Sequence, residues 1–383
     1  MNEWGHVRIS VWWEPAERPD DYAGHAENAA NVLFELAAYH RYAQGAQDAR
    51  PDRGLPVTDA DLGKAAVDDS GVGTLIPVMD ENRTNASSIP YGIAPPAYRL
   101  PDATRLGPVH LQVADLSRSL AYYGDVIGLR VMSHTSVGAT LGAQGASSEL
   151  VVLHERQGAA PVPPRGRLGL FHVAILLPDR PALGRFLAHL AAIGEQPGMS
   201  DHYVSEAIYL TDPDGLGLEI YADRPRASWK SEDRQLVMGT VPLDVRSVLA
   251  AGAGQPWDGA PPGTTVGHVH LHVGDLSAAS HFYHESIGFD RVVWQYPGAL
   301  FLSAGGYHHH LGTNIWARTA TAAREDEVRL IEWTIELPTA GDVAELAASA
   351  AAHGHEPAGD SASPAGILLR DPWGTAVRIR ATP

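Results

Sequence analysis

Gly107-Pro108-Val109-His110-Leu111-Gln112-Val113-Ala114-Asp115-Leu116-Ser117 returns in the second half of the chain as Gly267-His268-Val269-His270-Leu271-His272-Val273-Gly274-Asp275-Leu276-Ser277. The correspondence continues outward: Tyr122-Tyr123 is answered by Phe282-Tyr283, Gly128-Leu129 by Gly288-Phe289, and Asp212-Pro213-Asp214-Gly215 by Asp371-Pro372-Trp373-Gly374. Two copies of one unit follow each other. Within the opening stretch, Val109, Leu111 and Val113 alternate with His110 and Gln112, the period of a strand with one buried face. Asp115-Leu116-Ser117 then supplies a helix start and Gly128 a stop. A second helix is predicted from Pro181 to Ile193 before Gly194, with Leu183, Phe186, Leu187 and Leu190 at helical spacing; its partner runs from Gly341 to His353 before Gly354. Periodicity alone gives a mixed α+β fold with repeated strands.

The 383 residues are enough for two or three domains. A net charge of −17, from 28 basic and 45 acidic residues with no basic run, disfavours nucleic acid as a partner. The absence of cysteine rules out disulfides and thiolate metal sites. The N-terminus lacks the layout of a signal peptide and no apolar run approaches membrane-spanning length, so a cytoplasmic protein with no membrane partner is expected, and an oligomer of identical chains is compatible with the composition. Residues 1–87 form an extension outside the repeat, with a strand-like start from His6 to Trp13 and a helix-like stretch from Asp21 to Ala43. The domains expected are 88–225 and 265–383, joined by a linker over 226–264 that holds a short helix near Leu243 to Ala250.

Three residues stand out as candidate metal ligands. His110, His172 and Glu219 each sit in a short apolar-polar alternation, His172 sharing its face with the small Ala174 and Glu219 opposing Leu218 and Ile220. Two histidines and a carboxylate make an open-sided site suited to ferrous iron. Aligning the copies places His270 opposite His110, Glu332 opposite His172 and Arg378 opposite Glu219, so the second copy keeps one ligand and puts a cation where a carboxylate should be. Tyr307-His308-His309-His310, together with His270 and Glu332, leaves a second metal site open as an alternative to a polar strand end.

The segment His202-Tyr203-Val204-Ser205-Glu206-Ala207-Ile208-Tyr209-Leu210-Thr211-Asp212-Pro213-Asp214-Gly215-Leu216-Gly217-Leu218-Glu219 resembles the signature of the extradiol ring-cleaving dioxygenases of the vicinal-oxygen-chelate superfamily. Ser200, two residues before the histidine, is its one departure. The resemblance covers roughly residues 88 to 383 and implies tandem paired βαβββ modules with sheets curling around a cleft. It further implies Fe(II), with Mn(II) as an alternative, on His110, His172 and Glu219, and an aromatic catechol and O2 as substrates. His202 would be the acid-base residue, Tyr209 a hydrogen-bond donor to the substrate oxygen, and His154 the residue lining the oxygen pocket. Glyoxalase-like lyases, isomerases and thiol transferases of the same superfamily use four ligands, and there Glu155 would complete the set with Zn, Ni or Mn. A non-catalytic aromatic-ligand or antibiotic binder of the same fold is the third implied function. His154 and Glu155 face opposite ways, so only one of them can enter the cleft.

Overall fold

The computed structural model describes residues 91–164, 166–359 and 366–382; the strand and helix expected before residue 44 lie outside them. The described chain repeats a strand, a helix and three strands four times. The first module holds β1 (Arg105–Val113), α1 (Leu116–Ala121), β2 (Arg130–Thr135), β3 (Gly138–Gly142) and β4 (Glu149–Glu155). The second holds β5 (Gly169–Leu176), α2 (Arg180–Ile193), β6 (Gly198–Asp201), β7 (Ser205–Thr211) and β8 (Gly217–Asp223). A connection follows with the short strands β9 (Ser231–Glu232) and β10 (Gln235–Leu236) and the helix α3 (Val245–Gly252). The third module contains β11 (Thr265–His272), α4 (Leu276–Ala279), β12 (Asp290–Val293), β13 (Ala299–Ser303) and β14 (Leu311–Asn314). The fourth contains β15 (Arg329–Leu337), α5 (Ala340–Ala352), β16 (Ala358–Gly359), β17 (Ile367–Arg370) and β18 (Ala376–Ala381).

Local chemistry accounts for the helix boundaries. The carboxylates of Asp115, Asp179 and Asp275 each accept a backbone N–H in the first turn of the following helix, and Thr339 forms a reciprocal capping box with Asp342. Gly194 ends α2 in the left-handed region at φ 82°. The first helix differs from its expected course to Gly128: after Ala121 it widens into a π-helical turn over Tyr122–Val126, and the third module does the same over Ser280–Ser286. Both turns bury an aromatic hydroxyl on a carboxylate, Tyr123 on Asp212 and Tyr283 on Asp371.

Sheet topology corrects the expected division into an N-terminal and a C-terminal half. One eight-stranded sheet runs β16-β17-β18-β15-β1-β4-β3-β2 and the other β12-β13-β14-β11-β5-β8-β7-β6. The first module therefore pairs with the fourth, through antiparallel β1 and β15, and the second with the third, through antiparallel β5 and β11. Each sheet takes one module from each copy, so the segment 226–264 separates the copies in sequence without separating two sheets in space. Completely buried Val109, Leu111 and Val113, with Phe186, Leu190, Phe282 and Trp333, belong to one core that draws on all four modules. No described helix is long and apolar enough to cross a membrane.

Candidate metal centre

Cross-strand register builds the site. Tyr209 on β7 lies opposite Glu219 on β8, Glu219 opposite Ala174 on β5, and Ala174 opposite His268 on β11. Strands are spaced ~4.8 Å apart, so Glu219 and His268 flank a row position occupied by a single methyl group. The small Ala174 lets their side chains close over it. His172, two residues earlier on β5, shares this face and completes the cluster.

His172 Nε2 lies 2.9 Å from Glu219 Oε2, His268 Nε2 lies 3.1 Å from the same oxygen, and the two nitrogens are 3.3 Å apart. A six-coordinate divalent ion about 2.1 Å from mutually cis donors holds them roughly 3 Å from one another. The triangle thus has the dimensions of one face of such a shell. All three side chains are buried. His268 Nδ1 is buried with no partner, so a proton on either of its nitrogens leaves the other poorly served unless something besides protein binds the ring. The donor set fits a divalent cation of intermediate softness.

Packing sharpens the arrangement. A Cβ on Gly267 would lie 1.9 Å from the Tyr221 hydroxyl, and one on Gly217 would lie 2.2 Å from the Phe171 carbonyl and 3.1 Å from the His172 Cβ. Side chains at either glycine would push apart the strands that carry the donors. Phe171 meets the rings of His172, His270, His272 and Trp316 at centroid distances of 4.7 to 5.5 Å, forming an aromatic wall along one side.

Tyr209 stands beside the triangle, its ring centroid 5.7 Å from that of His172, and His202 meets it from the far side of the β6–β7 turn. The turn between β6 and β7 is held by Asp201 Oδ1, which accepts the Tyr203 N–H at 2.8 Å while Tyr203 takes φ 68°. This aims His202 inward. Its Nδ1 lies 2.7 Å from the Gly239 carbonyl and its Nε2 2.6 Å from the Tyr209 hydroxyl. A carbonyl only accepts, so Nδ1 carries the proton of the neutral ring and Nε2 accepts from Tyr209. Burial, reinforced by the Glu219 carboxylate, raises the Tyr209 pKa well above its ordinary value and keeps it a donor.

The remaining expected residues are elsewhere. His110 belongs to the other sheet, where its Nδ1 lies 3.0 Å from His154 Nε2 and its Nε2 3.8 Å from Glu332. Neither His110 nor His154 joins the cluster, because β1 pairs with β15 and β4 with β1, in the sheet that does not contain β5. Glu155 faces the start of α1 and accepts the Leu116 N–H at 2.9 Å, so it is no fourth ligand. In the equivalent position of that other sheet, Arg378 holds Glu332 through contacts of 2.7 and 2.8 Å, an ion pair in place of a cation site. The alternative second site also comes apart, since His270, His308, His309 and His310 lie with the triad's sheet and Glu332 with the other. The residue missed is His268, which the repeat alignment matches to Pro108. Its available signal is the alternation of His268, His270 and His272 on one strand face.

The buried rings set a pH dependence. Burial lowers the His268 pKa to about 4 despite the nearby Glu219, and lowers the His310 pKa to about 3, with His308 adding to the effect. Burial also holds His270 and His309 well below their ordinary value, with neighbouring histidines adding to it. Burial alone would raise Glu219, but His268 and His172 outweigh it and hold it well below the usual carboxylate range. Every one of these groups binds protons more readily in the unfolded chain. Stability is therefore fully present above the unfolded histidine pKa of about 6.5 and drains as pH falls toward the folded values. The unfolding temperature of chelator-treated protein should decline steadily between about pH 6.5 and 4; a flat profile there would contradict the neutral, buried state of these rings.

Comparison with known proteins places this geometry. The model of the Glyoxalase/Bleomycin resistance protein/Dioxygenase superfamily matches residues 105–220. A catechol-2,3-dioxygenase of Bacillus subtilis (strain 168) is 45% identical over 239 residues, 61% of this chain and 83% of that protein. Among solved structures, a dioxygenase-type protein of Bacillus subtilis is similar with a TM-score of 0.53 at 15% identity, over 75% of this chain and 87% of the other, a likeness of fold.

Proposed function

Since the chain belongs to the extradiol-dioxygenase branch of the Glyoxalase/Bleomycin resistance protein/Dioxygenase superfamily, we propose that it opens the ring of a catechol with O2 at a ferrous centre held by His172, Glu219 and His268. The observation that carries this reading is the triangle of donors with His202 and Tyr209 hydrogen-bonded to each other beside it. Mn(II) suits the same donors. A bound ferrous ion supplies adjacent positions for the two catechol oxygens and for dioxygen, and a route for electron density between them.

The protein's own groups do the rest. Glu219 balances one positive charge of the cation, and two neutral imidazoles leave the other to attract an ionised catechol oxygen. Tyr209 offers its hydroxyl proton to that oxygen and so fixes which face of the ring points inward. Once Tyr209 turns its hydroxyl from His202 to the substrate, His202 Nε2, on a ring anchored through Nδ1, is placed to take the second catechol proton and to return it later to the product. Phe171 and Trp316 supply apolar surface for the flat ring. A four-ligand, glyoxalase-like centre lacks its carboxylate, because Glu155 is committed to the start of α1.

Anaerobic loading with Fe(II) followed by a panel of catechols and air should give the yellow ring-opened product. Stoichiometric iron with no product from any catechol in the panel would overturn the proposal.

A further inference from the structure

Segment 235–241, in the connection between the two copies, is fastened at both ends. Asp233 and Arg234 turn left-handed at φ 46° and 64°, folding β10 back on β9. The buried Gln235 side chain then accepts the Trp294 and Gln295 N–H groups at 2.7 and 2.9 Å, just past β12. Leu236 packs beside it among Val292, Val293, Ala299 and Phe301. At the other end, Val241 and Asp201, the last residue of β6, exchange backbone hydrogen bonds of 2.9 and 3.0 Å. Thr240 adds a tie, its hydroxyl 3.1 Å from that of Tyr296.

The two anchors are far apart in the sheet. Strands β12 and β6 are its outermost members, so laid flat, with strands ~4.8 Å apart, they would stand ~34 Å from each other. Six residue steps of extended chain reach no more than about 22 Å, too little even with the length of a glutamine side chain added. The sheet therefore curls until its edges come within reach of one short segment. Gly239 lies between the anchors, and its carbonyl is the partner of His202 Nδ1 at 2.7 Å. A Cβ on Gly239 would lie 2.6 Å from the Tyr203 ring, so the bare glycine lets that ring close against the segment. A neutral histidine free in water favours its proton on Nε2. Here Nε2 faces the Tyr209 hydroxyl, and the bond made by the other nitrogen decides which tautomer is held.

We propose that segment 235–241 is a working part of the site, with Gly239 as a positioning residue whose carbonyl keeps the proton of His202 on Nδ1 and leaves Nε2 to handle the proton of the substrate. The role rests on the reading of His202 as the acid-base group. It gives the connection between the copies a chemical task, since the acceptor for Nδ1 comes from this segment and not from the strands that carry the metal donors. Gln235 and Thr240 act through Gly239, by fixing where its carbonyl points.

The test reads the tautomer directly. Nitrogen NMR of the full chain with 15N-labelled histidine, free of metal, should show His202 protonated on Nδ1 and bare on Nε2, its signals identified by their loss in His202→Asn. Gln235→Ala unfastens the first anchor, and Thr240→Val removes the tie beside Gly239 at an exposed position that burdens the fold little, which keeps the test decisive if Gln235→Ala fails to fold. In each variant the two tautomers should mix. The iron-loaded variants should lose about tenfold or more in kcat, a part of the 10²–10⁴-fold that a positioned acid-base group supplies, with KM and iron content unchanged. Gln235→Glu retains an oxygen to accept both N–H groups and should restore tautomer and kcat together. A proton on Nε2 in the wild type, or wild-type tautomer and kcat in both Gln235→Ala and Thr240→Val, would overturn the proposal. The NMR readout needs neither iron nor turnover, so a wild type inactive on every catechol would sink the ring-cleaving reading and leave the positioning role to be judged on the tautomer alone.

Discussion

His268→Ala is expected to strip the protein of iron and of turnover, whereas His110→Ala should leave both intact. The contrast is large because His268 takes the corner that the sequence context suggests for His110. His268 contributes one corner of a donor triangle whose edges are 2.9, 3.1 and 3.3 Å. Losing a corner costs more than the 10–100-fold in affinity that typically follows loss of a merely supporting partner. It also leaves the carboxylate of Glu219 buried with one partner fewer. His110 faces His154 and Glu332 across the other sheet, so its removal touches no donor. Iron content after desalting, measured side by side in the two variants, decides the matter. Full iron in His268→Ala, or its loss in His110→Ala, would return His110 to the donor set in place of His268.

His202→Ala should show the opposite split, retaining iron and losing turnover by roughly 10²–10⁴-fold, the usual contribution of a positioned acid-base group. The expectation rests on placement: His202 reaches the cleft through Tyr209, at 2.6 Å, and lies opposite none of the donors in the strand register. Tyr209→Phe should be milder, about tenfold to a hundredfold, because it deletes one hydrogen bond to a developing charge while leaving the base in place. Parallel measurement of iron content and turnover in the two variants checks both claims. Wild-type turnover in His202→Ala would remove it from the mechanism.

Much of this was legible before any fold was known, and the unreadable part has a definite cause. The repeat, the aspartate helix starts and the glycine stops identify the modules, because each is a local effect of caps and period. His172, Glu219, His202 and Tyr209 all come from the second module, whose internal spacing is fixed by β5, β7 and β8 pairing with one another. The third nitrogen comes from another module, and strand partners so distant in sequence are chosen by packing of whole surfaces rather than by any nearby residue. Adjacent modules invited the pairing of β1 with β5, which selects His110; the actual pairing of β11 with β5 selects His268. His154 and Glu155 follow β1 into the other sheet.

The nesting of one sheet within the other in sequence has a consequence for biosynthesis. Residues 169–314 form a single uninterrupted run that supplies one whole sheet, while the other joins what is made before that run to what is made after it. On the ribosome, the donor set is complete when β11 emerges, well before β15 exists. Throughout that interval β1 offers an open hydrogen-bonding edge beside newly made strands of closely related sequence, the circumstance in which repeated units most readily misassemble. The early half must wait for the last-made module, and the reward for waiting is a sheet in which the first and fourth modules hold each other.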